Sequence, residues 1–395
     1  MVLKSKHKLS EVIQLNPVRK LKIGENATFV SMSNITPNQR KISKYSQREV
    51  SGSKTTFKNG DTLLAKITPS LENGKTAFVD ILKEGEVGHG STEFIVLTGK
   101  EGKTLNLFVY YLMRFPEFRE EAIRSMTGTS GRQRVQESIF EDYEIILPSL
   151  DNQKKICDIL GNLDMKISNL QNQNKILEQI AQAIFKSWFI DFEGVKEFED
   201  SELGKMPKGW KIDTLDAIAE NPRNSIRMKD IASDILYVGL EHIPRGTIVL
   251  DNWENAKNLK SNKFKFVTNQ ILFGKLRPYF KKVGVAPIDG ICSTDILVLD
   301  SKEASWLEFL LFVVSSEDFI QYANQSSTGT RMPRADWNYM KKYSIIIPTS
   351  SKILEFHEII KNHIQLIRKN IFEIVSLKQI RDILLPKLMS GEIRV

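Results

Sequence analysis

Asp61-Thr62-Leu63-Leu64-Ala65-Lys66-Ile67-Thr68-Pro69 and Gln270-Ile271-Leu272-Phe273-Gly274-Lys275-Leu276-Arg277-Pro278 follow one pattern: a short apolar run, a lysine, an aliphatic residue and a proline two places later. Further matches flank this pair in the same order. Phe29–Ile35 lines up with Tyr237–Ile243, and Ser91-Thr92-Glu93-Phe94-Ile95-Val96-Leu97 with Ser293-Thr294-Asp295-Ile296-Leu297-Val298-Leu299. Thr127-Gly128-Thr129 matches Thr328-Gly329-Thr330, and Tyr143–Pro148 matches Tyr343–Pro348. Five matches in register, offset by about 200 to 209 residues, indicate a tandem duplication. The period is too long for a solenoid repeat.

Each half divides again. Its first part alternates β-like runs (Thr62–Ile67, Glu93–Leu97; Ile271–Leu276, Ile296–Leu299) with Gly, Asn and Pro punctuation. One helical stretch fits Leu105–Ser125 and another Glu303–Ala323, so each first part reads as a mixed α/β unit. After Pro148, apolar residues recur at Ile156, Ile159, Leu160, Leu163, Ile167, Leu170, Leu177, Ile180, Ile184 and Phe185. After Pro348 they recur at Phe356, Ile359, Ile360, Ile364, Ile367, Ile371, Leu377, Ile380, Leu384 and Leu385. Spacings of three and four predict two long helices with one apolar stripe each, diluted in the first only by Gly161 and Asn174. About 35 residues at 1.5 Å each make roughly 50 Å. A coiled coil between the two helices is the economical burial; ordinary core helices are the alternative. The acidic, aperiodic stretch 193–209 reads as a linker.

The 395 residues carry 56 Lys+Arg against 48 Asp+Glu, a net charge of +8, with 41% hydrophobic and 26% charged residues. That balance excludes wholesale disorder. No run approaches the roughly 18 apolar residues of a membrane span, and no apolar segment follows the basic start, so neither membrane nor signal peptide is expected. Two cysteines without CxxC spacing exclude a disulfide scaffold and suit a reducing cytoplasm. Residues 1–60 hold a large Lys/Arg excess, which suits a polyanion such as DNA as well as an ordinary solvated surface.

Catalytic signatures are missing. Gly74-Lys75-Thr76 ends like a phosphate loop, but Pro69 stands where its first Gly belongs. Asn16-Pro17-Val18-Arg19 and Asn221-Pro222-Arg223-Asn224 lack the Asn/Asp-Pro-Pro-aromatic signature of amino-methyltransferases. There is no GxGxxG or GxSxG. In His357-Glu358-Ile359-Ile360-Lys361, Lys361 replaces the second zinc histidine of HExxH. Neither a catalytic centre nor a metal site is expected.

Two further strings are specific. Ala183-Ile184-Phe185-Lys186-Ser187-Trp188-Phe189-Ile190-Asp191-Phe192-Glu193, followed by Asp200-Ser201-Glu202-Leu203-Gly204-Lys205-Met206-Pro207-Lys208-Gly209-Trp210, resembles the central conserved region of Type I restriction–modification specificity (S) subunits. Ile383-Leu384-Leu385-Pro386-Lys387-Leu388-Met389-Ser390-Gly391-Glu392-Ile393 resembles the end of the same family, whose likeness extends over essentially the whole chain. Unit one departs from it by lacking a lead like Gly209-Trp210.

The resemblance implies an α+β protein: two tandem-duplicated α/β target-recognition domains separated by two long antiparallel coiled-coil helices. Residues 1–148 would be the first recognition domain, 149–192 the first spacer helix, 193–209 the linker, 210–348 the second recognition domain and 349–395 the second spacer helix. Such a subunit binds the halves of a bipartite, asymmetric site on double-stranded DNA. Two methyltransferase subunits dock on it and two restriction–translocase subunits join. It is non-catalytic itself, holds no cofactor, and leaves S-adenosylmethionine, ATP and Mg to its partners.

Phosphates call for Lys, Arg or backbone N–H, and base edges for Arg, Asn or Gln. The polar loops after the repeated Thr-Gly-Thr offer Thr129, Ser130, Arg132, Gln133 and Arg134 in one half and Thr330, Arg331 and Arg334 in the other. DNA contact is expected there; a surface turn with incidental charge is the alternative. Lys66 and Lys275, with Arg277, end matching β-like runs and suit phosphate contact or plain solvation. Trp188, Phe189 and Phe192 pack either where the helices meet or against a methyltransferase. Two other classes compete: an enzyme, as a stand-alone nuclease or methyltransferase, and a purely structural coiled-coil adaptor.

Overall fold

A computed structural model describes residues 6–52, 55–257, 259–325 and 332–395. The chain forms two compact units, one of Met1–Asn169 with Ser376–Val395 and one of Leu170–Val375. Both boundaries fall inside long helices, Leu150–Phe189 and Ser350–Ser390, of 40 and 41 residues. Each would be about 60 Å long, a turn or two longer than its apolar stripe alone requires.

In the first unit an antiparallel four-stranded sheet runs in the order Ile13–Leu15, Phe94–Gly99, Thr62–Ala65, Thr76–Phe78. A second sheet runs Ser46–Glu49, Asn26–Val30, Gly88–Gly90, Thr56–Phe57, with the middle two parallel. Lys6–Lys8 pairs with Glu144–Ile146, which brings the two ends of the segment 6–146 side by side. The strand Thr62–Ala65 is buried at every position, which explains its continuous apolar run in place of alternation.

In the second unit the corresponding four-stranded order is Ala219–Glu220, Ile296–Ser301, Ile271–Gly274, Val283–Val285. The other sheet runs Glu254–Asn255, Leu236–Val238, Gly290–Cys292, Lys263–Phe266, Ser225–Ile226, again with its second and third strands parallel. Lys211–Thr214 pairs with Ser344–Ile347. The strand order is the same in the two units, apart from the added edge strand Ser225–Ile226 in the second.

Two expectations from the sequence change in detail. Leu105–Ser125 is two helices, Asn106–Arg114 and Pro116–Arg124, because Pro116 starts a new helix at its first turn. Glu303–Ala323 likewise breaks into Leu307–Ser315 and Glu317–Gln325, where Ser316 Oγ accepts the Phe319 N–H at 3.2 Å. The linker is also less irregular than its composition suggests. Phe198–Ser201 and Gly204–Pro207 form a β-hairpin, turned by Gly204 at φ +95°.

Within the first unit, Ile156, Cys157 and Leu160 of the first long helix share a core with Leu385, Leu388 and Met389 of the second. Closer to the unit's edge, Arg381 Nη1 donates to Asp164 Oδ1 at 2.8 Å, so the two lengths run antiparallel. Tyr111 Oη donates to the other Asp164 oxygen at 2.9 Å, and Arg114 lies 3.9 Å from it. All of these side chains are buried.

Within the second unit, Asn370 Nδ2 donates to Asn174 Oδ1 at 2.9 Å, both residues buried. Farther along, Phe185 and Phe189 pack on Phe356, at ring-centroid distances of 6.1 and 5.0 Å, again antiparallel. Phe309 and Phe312 complete this aromatic cluster. Phe192 stacks edge-on to Trp210 at 5.7 Å, and Lys352 caps the Trp188 face at 3.3 Å. The aromatic string of the first helix therefore packs inside its own unit, between the two helices and Trp210.

Candidate nucleic-acid interface

The loops that the sequence nominates begin from strand ends. In the first unit, Lys66 follows the strand Thr62–Ala65 and is bracketed by two backbone bonds. Its N–H donates to Glu93 O at 3.0 Å, and its own carbonyl accepts the Val135 N–H at 2.9 Å. The loop 127–134 closes on itself through Thr127 and Arg134, whose N–H groups each donate to the other's carbonyl at 3.0 and 2.9 Å. Gln133 is tied to Thr68 by its backbone in both directions: Thr68 N–H donates to Gln133 O at 3.0 Å, and Gln133 N–H to Thr68 Oγ1 at 3.1 Å. Gly128 sits at φ +129°, where a Cβ would stand 3.0 Å from Arg132 O, so the central residue of Thr-Gly-Thr has to be glycine.

Arg134 is paired within its own unit. Its Nε donates to Glu93 Oε2 at 3.0 Å and its Nη2 to Oε1 at 2.7 Å, a two-pronged ion pair with both partners partly exposed. That fork holds the Glu93 carboxyl below the usual carboxylate range; partial burial opposes it and Lys66 adds to it. Thr129, Ser130 and Arg132 are exposed at the loop tip, and Gln133 is half-buried. The Arg132 guanidinium has no partner among the described residues.

The second unit repeats the arrangement. Lys275 N–H donates to Asp295 O and its carbonyl accepts Ala335 N–H, both at 2.9 Å; Arg277 N–H donates to Pro333 O at 2.8 Å. Arg334 Nε donates to Asp295 Oδ1 at 2.9 Å, with Nη2 at 3.5 Å from Oδ2. Arg277 itself has φ +52°, a left-handed conformation uncommon for arginine, just before the short helical turn Pro278–Phe280. Thr330 and Arg331 lie outside the described residues.

Lys66, Thr129, Ser130, Arg132, Gln133 and Arg134 thus come from one strand end and one loop, as Lys275, Arg277 and Arg334 do in their own unit. The sequence offers Arg134 and Arg334 as candidate DNA contacts and does not single out Glu93 and Asp295, the carboxylates they pair with. The signal was present: both acids hold the third place of the repeated Ser-Thr-acid string.

The rest of the molecule supplies little chemistry among the described residues. Cys157 and Cys292 are buried, and burial pushes each thiol up to about 12, so neither is a ready nucleophile. Glu241, His242 and Glu254 bring one possible ligand atom each within 4.8 Å of the others. Nδ1 of His242 already accepts the Gly239 N–H at 2.9 Å. That leaves one imidazole nitrogen and two exposed carboxylates, short of a closed four-ligand zinc set. No helix among the described residues is long and apolar enough to cross a membrane.

The long helices carry exposed apolar side chains. In the first unit these include Ile159 and Ile380, 36% and 46% exposed; in the second, Ile359 and Ile180, 36% and 42%. Ile159 and Ile359 hold the same place in the two helices, and so do Ile180 and Ile380.

Comparison with known proteins gives the family. Residues 5–180 match the Type I restriction modification DNA specificity domain. The chain is 30% identical over 302 residues to the Type I restriction enzyme MjaIX specificity subunit of Methanocaldococcus jannaschii, covering 73% of this chain and 69% of that one. It is 25% identical to the HindI specificity subunit of Haemophilus influenzae, over 93% and 94% of the two chains. The Type I restriction–modification S subunit from M. genitalium has a similar fold, with a TM-score of 0.57, 15% identity and 98% and 96% coverage. This chain is a member of the Type I restriction enzyme specificity subunit family.

Proposed function

We propose that this chain is the DNA-sequence specificity subunit of a Type I restriction–modification complex, binding a bipartite, asymmetric target through two recognition units that arose by tandem duplication. The observation that carries this reading is the recurrence, in both units, of the same strand order with the same lysine, acid and arginine at the same loop. One reader used twice, with different loops, suits a site of two unlike halves. Lys66, Lys275, Arg277, Arg331 and Arg132 contact phosphates or base edges, with Thr129, Ser130, Gln133 and Thr330 at the loop tips.

The two long helices act as an antiparallel, coiled-coil spacer. Half-sites one duplex turn apart are separated by about 34 Å, a distance within reach of paired helices of about 60 Å. The matching exposed isoleucines support two methyltransferase subunits, one docked on each unit, with two restriction–translocase subunits joining them. The chain is non-catalytic: S-adenosylmethionine, ATP and Mg belong to the partners, and the complex works on cytoplasmic DNA.

The test is long-read mapping of adenine methylation in the host genome with and without this gene. A gapped motif that disappears with the gene is expected and yields both half-sites. An unchanged methylome would contradict an active specificity role. Appreciable S-adenosylmethionine binding by the chain alone would instead favour an enzyme.

A further inference from the structure

We propose that Arg134 and Arg334 are positioning residues: each clamps its recognition loop to a strand start, through Glu93 and Asp295, and neither touches DNA. The inference rests on the DNA-reading function proposed above and assigns a task within it. Four contacts carry it, and each is found in both units. The arginine forks onto the acid. The backbone N–H of the strand-end lysine donates to the carbonyl of that same acid, and the lysine carbonyl accepts the N–H of the residue after the arginine. The arginine also bridges in antiparallel fashion to the residue after the lysine, Ile67 in one unit and Leu276 in the other.

Three chain segments are therefore fastened at one point: the end of a strand, the start of another and the reading loop. A bidentate arginine–carboxylate pair fixes direction as well as distance, which suits a clamp. With Nε and Nη2 on the carboxylate the guanidinium's charge is already matched and its direction fixed, so it is a weaker phosphate ligand than an unpaired arginine. The acid itself would repel DNA unless neutralised, so its presence in both loops is explained by the clamp and not by contact with the duplex. Ordering the loop before binding removes that cost from the binding step.

The clamp makes a prediction of unexpected sign. Glu93→Gln removes a negative charge from a DNA-binding surface, which by charge alone strengthens binding. The clamp predicts weakening instead. The full-length chain assembled with its methyltransferase subunits is titrated with duplex carrying the mapped methylation motif across a salt series. Arg134→Gln and Glu93→Gln are each expected to lose about tenfold in affinity. Both should leave the slope of log affinity against log salt unchanged. Discrimination should fall in only one half-site, with Arg334→Gln and Asp295→Asn affecting the other, and melting temperature should hold. An arginine on a phosphate would instead lower the slope magnitude by about 0.9. That result, or tighter binding by Glu93→Gln, overturns the clamp.

Hydrogen exchange on the DNA-free chain gives a readout independent of function. Amides of Thr127, Gln133 and Arg134 should exchange faster in Arg134→Gln and in Glu93→Gln. Unchanged exchange overturns the clamp. Faster exchange in a chain whose wild type shows no sequence preference would sustain the clamp and remove the DNA-reading proposal.

Discussion

Arg381 and Asp164 meet at 2.8 Å with both side chains only 3% exposed, joining the two long helices inside the first unit. Tyr111 and Arg114 complete the network. The same positions in the second unit are held by Ala181, Ile364 and Phe312, all apolar core, and by the half-buried Ser315. Asp164→Ala removes the carboxylate between two buried arginines and should cost about 3–5 kcal/mol in urea unfolding. Copying the second unit, as Arg114→Ser, Asp164→Ile and Arg381→Ala together, should cost far less than the single change. A triple variant as weak as Asp164→Ala would show that packing, not unpaired charge, sets the loss.

Asn174 and Asn370 form the other buried polar contact between the helices, within the second unit. Their counterparts by repeat position are Ile374 and Leu170, both buried. Asn370→Leu leaves the Asn174 amide buried without its partner and should destabilise by about 1–3 kcal/mol. Asn174→Ile with Asn370→Leu should restore or raise the melting temperature while weakening the choice of register, seen as dimers or mixed species in light scattering. A double variant that is stable and strictly monomeric would mean that the amides have no part in register.

Glu178 supplies a pH signature. Burial raises its carboxyl above its ordinary 4.5, and hydrogen bonds from Thr247 Oγ1 and the Ile248 N–H offset part of that. A carboxyl that holds its proton more tightly when folded makes the folded state the proton-richer one. Stability then declines as pH climbs from about 4.5 through the raised value and recovers on acidification. Glu178→Gln should remove this component, so its stability gap to wild type narrows as pH falls toward 4.5. Parallel stability curves for the two proteins would contradict the assignment.

Partner docking can be tested one unit at a time. Ile159→Lys with Ile380→Lys alters exposed positions of the first unit only, and Ile359→Lys with Ile180→Lys those of the second. Each pair should leave folding stability within about 0.5 kcal/mol of wild type, as exposed substitutions do. Native mass spectrometry should find one methyltransferase subunit lost per altered unit. Two subunits retained on both variants would move the docking surface elsewhere.

Much of the architecture was written in the sequence because two signals were redundant. The buried strands Thr62–Ala65 and Ile271–Gly274 each have a near-copy, and the long helices have an apolar period sustained over many turns. Features that depend on distant partners were hidden. Asn174 reads locally as a helix breaker, and only Asn370, nearly 200 residues away, makes it a pairing residue. Arg134 reads as an unpaired cation until Glu93 is placed beside it. Pro116 was a legible break that the surrounding helical period masked, whereas the break at Ser316 had no proline to announce it. The hairpin in the linker escaped because an exposed acidic strand has neither apolar alternation nor β-branched enrichment.

The first unit is closed by residues 376–395, which lie beyond the whole of the second in chain order. Ile156, Cys157 and Leu160 find their covering side chains at Leu385, Leu388 and Met389. A ribosome that has delivered residues 1–169 has therefore made a surface whose cover is more than 200 codons away. Throughout that interval the nascent chain shows apolar helix to the cell. The first unit is completed only after the second has been made, and a chain cut near residue 376 would injure the unit translated earlier of the two.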